Sequence, residues 1–218
     1  MSPLIDVHDP HEPIHGVRDF FIHLFTITIG LLIALGLEGC VEWQHHRHLV
    51  HEARSSLHAE IEHNAGNVSG VLTELHEQQA GIRKDIATLD YILKNHKAPD
   101  KSHLTINFRI STFSDVSWKT AQATTAFSYM SYPQAEQYSD IYATQNDLQM
   151  AENQAARDAL VSVGPLMDTN YNDADPTGGR AGMIKERLEI FQGQLLLVDS
   201  LLNSLDVEYK KFLSVNPE

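Results

Sequence analysis

The sequence predicts an all-α protein: one N-terminal transmembrane helix continuing into a long helix, followed by an antiparallel four-helix bundle. Two observations carry that expectation. An uncharged run of 18 residues, FFIHLFTITIGLLIALGL, lies between Asp19 and Glu38. Beyond it, apolar residues recur at three- and four-residue steps over most of the chain, the period of a helix buried along one face.

The uncharged run, as a helix, covers roughly 27 Å, close to the ~30 Å hydrocarbon thickness of a bilayer. Phe20 and Phe21 at one end and Trp43 beyond the other suit the two interfaces, where aromatic rings concentrate. Thr26 and Thr28 can return their hydroxyls to carbonyls one turn back, so they cost little in lipid. A buried helix of a soluble protein would show a polar stripe over this length, and none is present. The leader MSPLIDVHDPHEPIHGVRD is acidic and rich in proline and histidine, unlike a cleaved signal peptide. Leu37-Glu38-Gly39-Cys40 echoes a lipoprotein processing box, but the glutamate spoils it. The expected organisation is a tail over residues 1–18, a transmembrane helix over 19–42 and a helical-bundle domain over 43–218. Gly30 and Ala34 have the spacing of a close helix pair, so the anchor can self-associate. His23 is expected to lift a neutral ring toward the nearby interface, the alternative being a proton-sensitive residue.

From Trp43 the stripe runs through Val50, Ala53, Leu57, Ile61, Val68, Leu72, Leu75, Ile82, Ile86, Leu89 and Leu93. Asn64, Gln79 and the Gly66/Gly70 pair interrupt it and predict a bend. Lys97 to Lys101 is a turn, because Pro99 cannot continue the helix. Residues 103–110, HLTINFRI, have strand-like composition but no partner strand, and are expected as an extended connection. Ser114-Asp115 reads as a helix cap. The helix after it has two half-apolar faces: Val116, Thr120, Ala123, Phe127 and Met130 on one, and Trp118, Ala121, Thr125 and Tyr129 on the other.

Pro133 suits the first residue of the next helix. That helix carries Tyr138, Ile141, Tyr142, Leu148, Ala155, Ala159, Leu160 and Val163, with alanines that let a neighbour come close. Residues 168–179 form a loop. The last helix shows the cleanest pattern: Ile184, Leu188, Phe191, Leu195, Val198, Leu202, Leu205, Tyr209 and Phe212, at alternating steps of four and three. Three long helices and a shorter fourth favour the antiparallel bundle.

Composition narrows the function classes. The formal charge is −13, from 29 acidic and 16 basic residues, so no nucleic-acid partner is expected. Cys40 is the only cysteine, so no intramolecular disulfide can form and the redox compartment stays open. All 13 histidines lie at or before His103, with His45, His46, His48 and His51 clustered.

In its anchor core, Gly30-Leu31-Leu32-Ile33-Ala34-Leu35, and the tryptophan that follows, Trp43, the chain resembles uncharacterised bacterial single-span inner-membrane proteins. These have a Gly-x-Leu-Ile-Ala-Leu anchor and a helical extramembrane domain. A second shared pattern, Trp-x-x-Ala-x-x-Thr-x-Ala, is matched by Trp118, Ala121, Thr124 and Ala126. The resemblance implies a domain of unknown function on the periplasmic side of the inner membrane, with a cytoplasmic tail. It brings no catalytic residues. Charge alone does not decide orientation, since Arg18 stands against Arg47 and Arg54.

Two constellations could carry chemistry. In EWQHHRHLVHE, residues 42–52, Glu42 and His46 are four apart, as are Arg47 and His51, while His45 and His48 are three apart. Such pairs can hold a transition metal or change charge with pH near a membrane surface. The plain reading is a polar collar where the helix leaves lipid, and no metal or cofactor is assigned. Asp168-x-Asn170-x-Asn172 with Asp173 and Asp175 resembles the opening of a calcium loop. Asp173 stands where glycine belongs, and Gly179 where glutamate belongs. Pairs such as Glu186 and Glu189 read as solvated surface. No phosphate loop, nucleophile elbow or Cys/His pair is present, so no enzyme is expected. The sequence points instead to a membrane-anchored interaction or scaffold module, homo-oligomeric or bound to another membrane protein. The alternative is a single-span ligand or pH sensor signalling through a partner.

Overall fold

The computed structural model describes residues 16–97, 99, 104, 108–164 and 179–217. They are helical throughout their regular parts, with no strand among them. In chain order the elements are α1 (Val17–Asn95), α2 (Val116–Ala123), a single 3₁₀ turn (Ala126–Tyr129), α3 (Tyr132–Val163) and α4 (Gly179–Val215). The chain divides into two compact units, Met1–Leu49 and Val50–Glu218, and α1 contributes residues to both. The candidate calcium loop, apart from Gly179, and most of the N-terminal tail lie outside the described residues.

In the first unit α1 starts immediately after Gly16, whose carbonyl accepts the Phe20 N–H at 3.2 Å. An 18-residue window of this helix has a mean hydropathy of 2.3, and none of it is buried. It is the one described helix long and apolar enough to cross a membrane. No other described element covers its apolar side chains. The polar side chains within it are turned inward on their own backbone. Thr26 Oγ1 donates to the Ile22 carbonyl at 2.9 Å and Thr28 Oγ1 to that of Leu24 at 2.7 Å, as the sequence predicts. His23 Nδ1 lies 2.9 Å from the Asp19 carbonyl, so the ring reaches back toward the N-terminal end of the helix.

The second unit is organised around α4. All nine residues of its predicted stripe, Ile184 through Phe212, are buried. They face a matching stripe on α1, where Leu57, Ile61, Val68, Leu75, Ile82 and Leu89 are buried. Polar cross-links fix the register. Lys185 Nζ meets Asp90 at 2.6 Å, Gln79 Nε2 donates to the Leu195 carbonyl at 3.2 Å, and His58 Nε2 lies 2.8 Å from the Asn216 carbonyl. Ascending α1 therefore means descending α4, so the two run antiparallel. Asn64 and Gln79, read from the sequence as interruptions, are buried members of the seam. The α1 helix continues through them to Asn95. It stops where His96 turns to a φ of 52° with its N–H still on the Ile92 carbonyl at 2.8 Å.

Pro133 stands in the first turn of α3, where its missing N–H removes nothing the helix needs. The α3 and α4 backbones approach each other closely. Ala151, Ala155 and Ala159 are buried in a row on α3. Tyr138, Ile141, Tyr142 and Leu148 complete the buried face. Leu160 departs from expectation and is 73% exposed. It lies at 100° per residue from buried Ala159, and α3 is ending, so it has rotated off the seam.

The region between α1 and α3 differs more. Residues 108–115 form neither helix nor strand, while half of the connection expected over 103–110 and most of the turn expected at Lys97 to Lys101 lie outside the described residues. Phe108 meets Phe191 edge-on with centroids 5.6 Å apart, and Arg109 Nη1 pairs with Glu74 at 3.1 Å. The helix expected to run from Ser114 to Met130 is only eight residues long. It ends at Ala123, and Thr125 takes a left-handed φ of 59° before the 3₁₀ turn. Of the two long faces predicted there, Ala121 is buried while Val116 and Tyr129 are exposed, and the buried Ala126 belongs to neither face.

Candidate functional site

Two places concentrate polar chemistry. The first is a buried junction in the second unit, where α1, α2, α3 and α4 meet. Glu60 of α1 lies almost fully inside and accepts four hydrogen bonds. Ser114 Oγ and Ser117 N donate to Oε2 at 2.6 and 2.9 Å, while Tyr142 Oη and Trp118 N donate to Oε1 at 2.6 and 3.4 Å. Ser117 and Trp118 belong to the first turn of α2, whose N–H groups have no partner within the helix. Glu60 is therefore the cap of α2, supplied from another helix. The sequence assigned the capping role to Ser114-Asp115. Asp115 makes no side-chain cap bond and instead pairs with Lys119 at 2.7 Å.

One turn along α1, Asn64 holds both faces of one residue's backbone. Its Nδ2 donates to the Ser114 carbonyl at 2.8 Å and its Oδ1 accepts the Ser114 N–H at 2.9 Å. Gln145 of α3 donates to the same carbonyl at 3.0 Å and to that of Phe113 at 3.3 Å, while its Oε1 accepts the Tyr209 hydroxyl at 2.8 Å. Trp118 stacks flat on Tyr142, with centroids 4.8 Å apart and planes 12° from parallel. Burial alone would push the Glu60 carboxyl up, but the donors from Ser114, Tyr142, Ser117 and Trp118 outweigh it and hold it below the ordinary glutamate range. Burial, with the Glu60 carboxylate beside it, pushes the Tyr142 hydroxyl far above the tyrosine range.

Farther along α3, Glu152 is buried with Ser111 as its hydrogen-bond donor through both N–H, at 3.1 Å, and Oγ. Fewer donors reach it, and here burial wins, raising its carboxyl above the usual value. None of these residues was singled out from the sequence as functional. The available signal was a polar side chain in step with the apolar stripe: Glu60 beside Ile61, and Gln145 between Tyr142 and Leu148. Chemically, the Glu60 site is saturated with donors and holds a peptide segment in place.

A groove of about 230 Å³ opens between α3 and α4, with Ile141, Phe212 and Val215 as its apolar part and Asp140, Glu208 and Lys211 among its polar residues. Burial pushes the Glu208 carboxyl up, although Thr144 donates to it at 3.1 Å.

The second place is the collar. In the first unit, His45 and His48 are exposed, His46 is half-covered, and the His45 and His46 ring centroids are 6.1 Å apart. His46 Nε2 lies 3.9 Å from Glu42, and the Arg47 guanidinium sits 5.4 Å from the Trp43 ring centre. The predicted Glu42–His46 neighbourhood is thus present. His51, predicted with this cluster, belongs to the other unit. Among the described residues no group of three or more histidine, cysteine or acidic side chains converges as a metal site. Comparison with family models, with curated proteins and with solved structures finds no match.

Proposed function

We propose that this chain is a single-pass protein of the bacterial inner membrane whose helical extramembrane domain, on the periplasmic side, serves as an interaction or scaffold module. It acts without enzymatic chemistry, through self-association or through another membrane protein. The observation that carries the reading is the 18-residue apolar window of α1 with nothing packed on it. Leaving such a surface in water would cost far more than any exposed contact returns, whereas a bilayer covers it along its whole length. The interior of the domain supports the same reading, because its buried polar groups are spent on joining helices to one another. The antiparallel four-helix bundle, with α2 as its short member, belongs to this proposal, as do the resemblance to bacterial single-span proteins and the orientation that it implies.

Membranes carrying the full-length chain, washed in alkaline carbonate, test the anchor: the protein should remain in the pellet, and release into the supernatant overturns the reading. Native mass spectrometry after gentle extraction tests the module, with assemblies of protein chains expected. The groove beside Glu208 keeps a second reading in view, a single-span ligand or pH sensor, and a small molecule retained in the spectrum would favour it.

A further inference from the structure

The groove between α3 and α4 differs from the Glu60 junction in what its polar groups leave unpaired. Ile141 and Phe212 form its floor and are only 4% and 6% exposed. Phe212 is held by the Tyr138 ring, with centroids 5.3 Å apart, and by His58, at 6.0 Å. The floor is thus part of the core and stands ready without a ligand. Val215, an exposed residue, carries the apolar surface outward. At about 230 Å³ the space falls below the ~300–1,000 Å³ of sites for drug-sized molecules, so it suits a ligand of a few non-hydrogen atoms.

Two carboxylates and one ammonium border this surface: Asp140, Glu208 and Lys211. Glu208 Oε1 accepts from Thr144 at 3.1 Å, but Oε2 is closed off from solvent and has no hydrogen-bond partner among the described residues. No ion pair holds Asp140, Glu208 or Lys211 among those residues. With both acids ionised, two negative charges against one positive leave the border one charge negative. The α4 helix ends here at Val215, with no basic residue in its last turn, so the negative end of its dipole adds in the same direction. Burial pushes the Glu208 carboxyl up, and the charge of Asp140 adds to the rise. A cation in the groove offsets both, because it stands in for the water that Glu208 has lost. The single net charge selects a monocation, and the apolar floor asks for a hydrocarbon part that a metal ion lacks.

We propose that the groove bordered by Asp140 and Glu208 binds a small primary alkylammonium ion. The ammonium group lies beside the Glu208 carboxylate, and the hydrocarbon part lies on Ile141, Phe212 and Val215. This gives the ligand-sensor reading its ligand class and rests on that reading. Isothermal titration calorimetry tests it, on the full-length chain in phosphatidylcholine nanodiscs with empty nanodiscs as the blank. The probe is n-butylammonium, with 1-butanol and butyrate as its neutral and anionic counterparts.

Butylammonium should bind with a Kd on the order of 1–10 mM, since so few atoms offset the cost of ordering it, and butanol and butyrate should give no heat above the blank. Glu208→Gln should weaken butylammonium by about tenfold or more, the loss expected when a hydrogen bond to a charged group is removed. Lys211→Gln takes the competing positive charge from an exposed position and should tighten binding by about twofold. A gain of that kind cannot come from a damaged fold. Unchanged affinity in a Glu208→Gln variant of full helix content overturns the proposal, and so does weaker binding in Lys211→Gln. Binding of butanol or butyrate in place of butylammonium overturns the ligand class and leaves the sensor reading standing. If butylammonium gives no heat above the blank, the proposal fails; the sensor reading fails with it only when native mass spectrometry shows protein chains alone.

Discussion

Tyr142 of α3 donates its hydroxyl hydrogen to Glu60 Oε1 of α1 across 2.6 Å, beside the first turn of α2. One carboxylate thus ties two long helices together and caps a third. Each of its oxygens accepts two hydrogen bonds, so removing the charge cannot be neutral.

Glu60→Gln places an NH₂ group where two donors already point, leaving at least one of them unsatisfied. The expected cost is about 2–4 kcal/mol, in the range for breaking a buried charged network. The pH dependence has a definite sign. The folded carboxyl titrates below the ordinary value of 4.5, so its contribution is complete above that value and is lost as pH falls through the lower, folded one. Urea unfolding across the acid range should show that loss in the parent and a flatter profile in the variant. Equal stability in both at neutral pH would remove Glu60 from its capping role.

Glu152 has the opposite sign. Burial raises its carboxyl, so the folded state keeps the proton longer than the unfolded chain does. Stability falls as pH rises from 4.5 through the folded value, and the penalty persists at neutral pH. Glu152→Gln removes the charge and retains an oxygen to accept from Ser111. It should stabilise the domain at neutral pH by about 1 kcal/mol, or a few degrees in Tm. A variant that melts below the parent at neutral pH would show that the ionised form is the one the site favours.

Periodic apolar side chains make α1, α3 and α4 legible from the sequence alone. The nine-residue α4 stripe is buried as read, because a long amphipathic helix states its buried face in the spacing of its own residues. The polar junction is not legible in that way. Glu60 reaches residues more than fifty positions away, and nothing in its immediate neighbours announces that α2 will need a cap. The length of α2 escapes for a related reason. Thr125 breaks the helix in a left-handed conformation that a β-branched residue rarely adopts, so no glycine or proline marks the place. The histidine collar is visible as a cluster, but its split between two units is not.

Three buried alanines on α3 leave no room for a longer side chain in their row. Ala155 has no exposed surface and sits midway between Ala151 and Ala159 in the buried row. Ala155→Leu should cost about 1–3 kcal/mol through overpacking, because neither backbone can withdraw without disturbing several contacts. Ala155→Gly should also destabilise, by roughly 1 kcal/mol from helix propensity alone. Thermal melts of the two variants check the pair, and a leucine variant as stable as the parent would mean that the helices have slack between them.

The α4 seam gives the most demanding prediction. Leu195 is completely buried near the middle of the nine-residue stripe, where end fraying cannot relieve a poor fit. Its carbonyl accepts from Gln79 of α1, so the backbone at this point is held as well as the side chain. Leu195→Ala should cost about 2–5 kcal/mol, from lost burial and the cavity left behind. Leu195→Asp should cost more, since it also buries a charge with no partner waiting for it. Against a total stability of roughly 5–15 kcal/mol, the aspartate variant should lose the fold of the domain. The structure fills this seam with α1 and α3 of the same chain, which decides how the failure should look. Circular dichroism should report lost helix, and native mass spectrometry should give no population of folded monomers released from a larger assembly. Well-folded monomers appearing only in the variant would show that α4 packs against a neighbouring chain. An aspartate variant as stable as the parent would show that the stripe is not a buried seam.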